Sequence, residues 1–291
     1  MTIPKESILE RIRRIKIMTS RLAEDLLAGA YHSAFKGRGM EFEEVREYSP
    51  GDEIRHIDWN VTARMQHPFI KMFREEREIS VVLLIDISSS TLFGKVNNQK
   101  RDYIAELAAV LAFSASKNND KVGAIFFSDQ VEKIIAPKKG FQNVMHILDD
   151  AMVYSPKSKG SALTPALTAF GRMYPRKSIC FVISDFLFNL EPKLLTLTAS
   201  KHDLIALVVS DDIEHNFPEH DALIEMEDLE SGQRAVLDNT MTQEYSNRYR
   251  NFIKGQQQKL LRAGGSVIVL NSSKPYLQPL QSFLRLRSRR R

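Results

Sequence analysis

The sequence predicts an α/β chain: a doubly wound, mainly parallel sheet with helices on both faces, preceded by a helix and an arm. Three observations carry this. Residues 79–85, Ile-Ser-Val-Val-Leu-Leu-Ile, form an apolar run too short to span a membrane, and it ends abruptly in Asp86 and three serines. A buried parallel strand delivers polar groups to its carboxyl edge in this way. Further apolar runs at 122–127, 179–184, 204–210 and 266–270 are separated by stretches with helical periodicity at 99–116, 141–152, 161–173, 192–200 and 242–262. Strands alternating with helices build parallel sheets covered by right-handed crossovers. Finally, 291 residues with 43% hydrophobic and 26% charged side chains are enough to bury a sizeable core.

Taken in order, residues 5–28 carry Ile8, Ile12, Ile15, Leu22 and Leu26 at helical spacing, with Gly29 as the expected stop. Residues 31–60 turn polar and contain a Pro50-Gly51 turn, the mark of an arm with short strands. From 61 to 77, charges alternate with Met65, Phe69, Ile70, Met72 and Phe73, which predicts an extended segment lying across something larger. After the strand at 79–85 the alternation begins. Residues 130–136 read as an edge strand, and 222–237, with Ser231-Gly232 at its centre, as a hairpin insertion. The formal charge of +5 is matched by the terminal arginines Arg285, Arg287, Arg289, Arg290 and Arg291 alone. The one cysteine, Cys180, lies in an apolar run and reads as a core residue, which suits a reducing cytoplasm. No apolar stretch reaches the roughly 20 residues of a membrane span, and the amino terminus lacks a secretory apolar segment. A soluble protein is expected.

Alternate spacing on an extended segment points Asp86, Ser88 and Ser90 the same way, so one carboxylate and two hydroxyls converge. Two other strand-end loops lie on the same edge in a doubly wound sheet: Gly160-Ser161-Ala162-Leu163-Thr164 and Asp185. Hydroxyls with two carboxylates form an oxygen-only donor set, the preference of Mg²⁺ or Mn²⁺. The plainer reading, in which Ser88 to Ser90 only cap a loop and a helix, carries equal weight for an isolated Asp-Xxx-Ser-Xxx-Ser. In the arm, Arg46, Asp52, Arg55, Asp58 and Trp59 form a second candidate surface, with His56 and Asp58 as an acid-base or metal pair. Structural pairing of the arm onto the main domain, with Trp59 buried, is the favoured reading there. The basic end 283–291 is read as a helix terminus and solvated tail before a lipid or nucleic-acid contact. His32, His67, His146, His202, His215 and His220 lack metal-ligand spacing, and the last two are expected to be solvated.

Residues 79–90, with Gly160-Ser161 and Ser184-Asp185, resemble a von Willebrand factor A-type domain and its metal-ion-dependent adhesion site. The arm segment 46–52, Arg-Glu-Tyr-Ser-Pro-Gly-Asp, with Arg55-His56-Ile57-Asp58-Trp59, resembles the bacterial domain-of-unknown-function family fifty-eight, as does the end 279–285. The resemblance implies residues 1–78 as helix and family arm, 79–275 as a von Willebrand factor A-like domain and 276–291 as a basic tail. It implies Mg²⁺ (or Mn²⁺) held by Asp86, Ser88 and Ser90 from the first loop, Ser161 from the second and Asp185 from the third, with Thr164 as substitute if the second loop shifts register. Ser161 stands where such domains usually have threonine, and Ala162 where related sequences often have an acid. The implied function is a metal-dependent protein-binding module, not an enzyme, that accepts a partner's carboxylate, with a MoxR-type AAA+ ATPase as partner in protein assembly or maturation. The alternatives are a Mg²⁺-dependent phosphate-ester hydrolase using Asp86 and a metal-free scaffold. Serine at 88 deprives the hydrolase of its second acid, and no Gly-Xxx-Xxx-Xxx-Xxx-Gly-Lys phosphate loop occurs.

Overall fold

A computed structural model describes residues 27–35, 41–74, 79–95, 98–217 and 221–289. The chain divides into two compact units, residues 1–34 with 79–291, and residues 35–78. The helical stripe expected over 5–28 falls outside the described residues except at its end. Gly29 does not stop a helix; it lies inside α1 (Ala28–Phe35). Burial of Leu27, Tyr31 and Ala34 on one face outweighs the roughly 1 kcal/mol that a mid-helix glycine costs. The Tyr31 hydroxyl donates to Asp120 Oδ2 at 3.2 Å, and His32 Nδ1 lies 2.8 Å from Asn118 Oδ1.

In the smaller unit, β1 (Glu41–Glu47) pairs antiparallel with a strand at Phe69–Arg74, and the two-turn helix α2 (Trp59–Met65) lies between them in sequence. The segment expected to be extended from 61 is therefore helical to Met65 and becomes strand β2 only at Phe69. Local chemistry explains the difference. Asp58 caps α2 by accepting from Asn60 N and Val61 N, Gln66 ends it in a left-handed conformation, and Thr62 Oγ1 accepts from Phe69 N at 3.0 Å. Trp59 is not buried. It sits on the outer face of α2, 68% exposed, while Val61 and Thr62 take the half-buried positions.

In the larger unit the order is β3 (Ser80–Asp86), a two-residue ribbon β4 (Gly94–Lys95) and β5 (Asn98–Gln99), α3 (Lys100–Lys117), β6 (Lys121–Phe127), β7 (Val131–Lys138), α4 (Phe141–Val153), α5 (Leu163–Met173) and β8 (Ile179–Ser184). Then come α6 (Pro192–Lys201), β9 (Asp203–Ser210), α7 (Asp212–His215), the hairpin β10 (Ile224–Glu227) with β11 (Arg234–Leu237), α8 (Asn239–Arg262), β12 (Ser266–Asn271) and α9 (Leu277–Arg289). The six-stranded sheet runs β12-β9-β8-β3-β6-β7. All neighbours are parallel except the edge pair β6–β7. The fold is thus α/β, with a mainly parallel central sheet flanked by helices. Val82 and Leu84 of β3 join Cys180, Val182, Ala206 and Val208 in a core closed by α5, α6 and α8. The pleat sends Val81, Leu83 and Ile85 to the other face, where α3 crosses β3, β6, β8 and β9. Gly123 permits the bulged approach of β7, because a Cβ there would lie 2.9 Å from Ile135 O and from Pro137.

Two features of this topology position the site. The chain runs outward from β3 through β6 to β7, then returns to β8 and leaves the other way through β9 to β12. The loops after β3 and β8 therefore diverge and open a crevice at the carboxyl edge. In addition, α5 begins at Leu163 rather than 161, which leaves Ser161 and Ala162 in extended backbone on the same edge. Residues 277–289, read as the beginning of a basic tail, form α9 with Leu280 and Leu284 buried. Arg287 pairs with Asp203 at the amino end of β9 and donates to Ser266 Oγ at 2.7 Å.

Candidate metal centre at the carboxyl edge of the sheet

β3 is buried along its length and delivers Asp86 into a closed environment. Its Oδ1 accepts from Ser88 N at 2.9 Å and from Ser88 Oγ at 2.6 Å; its Oδ2 accepts from Ser184 Oγ, on β8, at 2.6 Å. Ser88 Oγ lies 3.1 Å from Ser90 Oγ. The residues picked out by alternate spacing thus form one contiguous oxygen cluster, buried or nearly so. Ser88 also begins a short 3₁₀ turn, Ser89–Leu92, but makes no side-chain cap bond to it. Its hydroxyl turns to Asp86 instead, so the capping explanation fails for this serine. Burial, and then the negative charge of Asp185, push the Asp86 carboxyl up to about 7, against the opposing pull of the Ser184 and Ser88 hydrogen bonds. No cation touches Asp86 among the described residues.

The second loop joins the first through Ser89 N, which donates to Lys159 O at 3.1 Å. Ser161 does not turn toward Asp86. Its hydroxyl donates to Glu230 Oε1, in the β10–β11 turn, at 2.6 Å. Thr164 lies exposed in the first turn of α5. In the third loop Asp185 is fully buried, and Lys100 Nζ bridges its Oδ2 to Glu214 Oε1 with both contacts at 2.8 Å. Glu214 Oε2 further accepts from the Tyr249 hydroxyl and from Asp211 N. Burial opposes charge on Lys100, but Asp185 and Glu214 outweigh it and raise the ammonium above its ordinary range. The next residue, Phe186, is buried at φ +56. A bulky side chain held in the left-handed region costs of order 1–2 kcal/mol and marks a loop fixed by its surroundings.

The donor chemistry fits a hard divalent cation. Oxygen ligands about 2.0–2.1 Å from Mg²⁺ in an octahedron lie about 2.9 Å from their neighbours. The Asp86–Ser88 and Ser88–Ser90 oxygen separations, 2.6 and 3.1 Å, bracket that edge. Charge points the same way. Asp86, Asp185 and Glu214 are three buried carboxylates, and the one buried ammonium beside them, that of Lys100, contacts only the last two. Among the described residues no group of three or more His, Cys, Asp and Glu side chains could hold a metal; here the serine hydroxyls complete the set.

Sequence reasoning gave no role to Lys100, Ser184, Glu214 or Glu230, although Ser184 stands beside Asp185 in the strand end that carries the resemblance. Lys100 carried one signal: it is the first residue of α3, where a cation opposes the helix dipole, so its presence asks for a compensating carboxylate. The other three are brought in by long-range pairing. The arm residues lie in the smaller unit. Arg46 forms a two-pronged pair with Asp52, at 2.9 and 2.7 Å, and that hydrogen bond holds the Asp52 carboxyl below its usual range. Arg55 pairs with Glu53, and Asp58, besides its capping role, lies 3.4 Å from Lys71. His56 approaches Glu53 at 3.8 Å. Arg46, Asp52, Arg55 and Asp58 thus have charge partners within the arm. His215 is not simply solvated, since its ring stands edge-on to Tyr249; His220 lies outside the described residues.

Uncharacterized protein Rv1480 of Mycobacterium tuberculosis is 25% identical over 283 residues, 96% of this chain and 89% of its own length. Uncharacterized protein YeaD of Bacillus subtilis is 33% identical over 105 residues, 36% of this chain and 24% of that protein. Among solved structures, the conserved hypothetical protein BatB from Bacteroides thetaiotaomicron is similar at 15% identity, with a TM-score of 0.48, over 72% of this chain and 99% of that one. A family model matches residues 44–259, from the middle of β1 to the end of α8, and on that match the chain belongs to the family described as protein of unknown function DUF58.

Proposed function

We propose that this chain is a metal-dependent protein-binding module whose larger unit is von Willebrand factor A-like. The observation that carries the reading is the convergence of Asp86, Ser88 and Ser90 into one oxygen cluster beside buried Asp185, at the point where the sheet reverses its strand order. Asp86, Ser88 and Ser90 would hold Mg²⁺ or Mn²⁺, with Asp185 held alongside by Lys100. When bound, the cation supplies an electrophilic position for a carboxylate oxygen. Ser184 and the Ser88 amide orient Asp86, and Lys100 keeps Asp185 from turning outward. Only one carboxylate belongs to the Asp86-Ser88-Ser90 cluster itself, so a bound cation keeps much of its charge for an external aspartate or glutamate. That favours recognition over turnover. The partner class, a MoxR-type AAA+ ATPase, and a cytoplasmic setting rest on the family resemblance; no helix among the described residues is long and apolar enough to cross a membrane.

Two measurements on the full chain test this. Mg²⁺ or Mn²⁺ should raise the melting temperature, because an ion bound only by the native state stabilises it by mass action, and Ser90→Ala should weaken that shift without unfolding the protein. Capture of the ATPase by the tagged chain should be lost with chelator and in Asp86→Ala with Ser88→Ala. Capture that persists in a folded double variant, together with no metal effect on melting, would move binding away from this edge.

A further inference from the structure

We propose that Glu230 is a carboxylate supplied by the chain itself to this edge, seated where a partner's acidic side chain docks, so that the β10–β11 hairpin is a latch a partner must displace. The inference rests on the metal-binding reading above and adds to it what occupies the docking position before a partner arrives. Glu230 lies at the tip of a hairpin outside the six-stranded sheet, and it is not required by any strand crossover. Its Oε1 nevertheless accepts a 2.6 Å hydrogen bond from Ser161, the hydroxyl expected to face the metal from the second loop.

The turn is built to present this side chain. Asp228 Oδ1 accepts from both Glu230 N and Ser231 N, at 2.9 and 2.7 Å, and Gly232 at φ +72 closes the reversal with its amide on Asp228 O. The rest of the hairpin is largely exposed, with Leu223, Glu225 and Val236 facing solvent. Its tip therefore carries a specific contact that the ribbon's own packing does not explain. The surroundings of Glu230 are unfavourable for an anion. It is half-buried, Asp185, Asp228 and Asp129 all act on it with like charge, and it forms no ion pair among the described residues. The like charge around Glu230 is opposed by one hydroxyl, and a cation at this edge would relieve it. A divalent ion on the Asp86 cluster would supply that cation, and Glu230 would then compete with an external carboxylate for it.

The test uses the full chain, Mn²⁺ alone as metal probe and acetate as carboxylate probe, with Glu230→Gln as the variant and Glu225→Gln, exposed on the same ribbon, as control. Mn²⁺ should broaden the amide resonances of Glu230 and Ser231 in the wild-type chain. In Glu230→Gln the Mn²⁺ affinity should fall about tenfold and acetate should bind the Mn²⁺-loaded chain at least tenfold more tightly, because the internal competitor is gone; Glu225→Gln should do neither. Mn²⁺ binding at unchanged affinity in Glu230→Gln, with acetate binding also unchanged, overturns the latch and leaves the metal site standing. A wild-type chain with no Mn²⁺ effect on resonances or melting overturns the metal reading, and the latch with it.

Discussion

Replacing Lys100 with methionine isolates the strongest electrostatic feature of the protein. The ammonium is fully buried and touches Asp185 and Glu214, whose side chains are 0% and 3% exposed, at 2.8 Å each. Removing one partner from a buried ion pair costs about 3–5 kcal/mol, because an uncompensated charge stays behind. Here two carboxylates are stranded, though Tyr249, Asp211 N and Leu187 N still donate to them, so the cost belongs within that range rather than at twice it. For a unit of this size 1 kcal/mol shifts the melting temperature by roughly 2–4 °C, and Lys100→Met should melt about 6–20 °C lower at neutral pH. Adding Glu214→Gln should recover part of the loss, and the non-additivity in the double-mutant cycle should exceed about 1 kcal/mol for groups in contact. A drop of less than 2 °C, or strict additivity with Glu214→Gln, would refute the claim that this triad is a coupled buried network.

Asp120 gives the pH dependence. Burial raises its carboxyl to about 6 despite the opposing Tyr31 hydrogen bond. The folded state therefore binds more protons than the unfolded chain between about pH 4 and 6, and the contribution of Asp120 is lost as pH rises through that window, by about 1–2 kcal/mol after allowing for partial solvent screening. Asp120→Asn should flatten the wild-type curve of melting temperature against pH there, and an unchanged slope contradicts the assignment. Gly123→Ala should cost about 1–3 kcal/mol by overpacking against Ile135 and Pro137; an unaltered melt would show that β7 can move aside. Arg287→Ala removes a charged partner from the nearly buried Asp203 and should cost about 1–3 kcal/mol, with faster amide exchange along α9 than along α8. Equal exchange in variant and wild type would mean that Leu280 and Leu284 alone hold the helix.

What could be read from the sequence was whatever rests on local periodicity. The buried strands and their helices followed from apolar runs of four to eight residues and from 3.6-residue spacing, and so Asp86, Ser88, Ser90 and Asp185 could be assigned to one edge. Errors arose where a local rule met a tertiary contact. Gly29 stayed helical because Leu27, Tyr31 and Ala34 bury around it, and residues 61–65 coiled because Asp58 caps them. Trp59, expected to be buried where the arm pairs with the main domain, instead opens α2 after the Asp58 cap and is exposed.

The residues that escaped prediction at the site share a physical character: each acts over a long sequence distance. Lys100 reaches Asp185 and Glu214 across 85 and 114 positions, and Ser161 reaches Glu230 across 69. Periodicity cannot see such pairs, but local rules register them as violations. A lysine opens a helix where its charge is unwelcome, a phenylalanine takes a positive φ, and a glutamate is held among aspartates. All three lie in or against the loops around Asp86 and Asp185. Rule-breaking gathered at these loops is the pattern expected when a stable scaffold carries a site whose geometry is set by something other than stability. The Glu230 and Lys100 variants separate the two causes. Loss of Lys100 should lower stability whether or not metal is present, whereas loss of Glu230 should alter ligand binding and leave the melting temperature of the metal-free chain within about 2 °C of wild type, the range of a surface substitution.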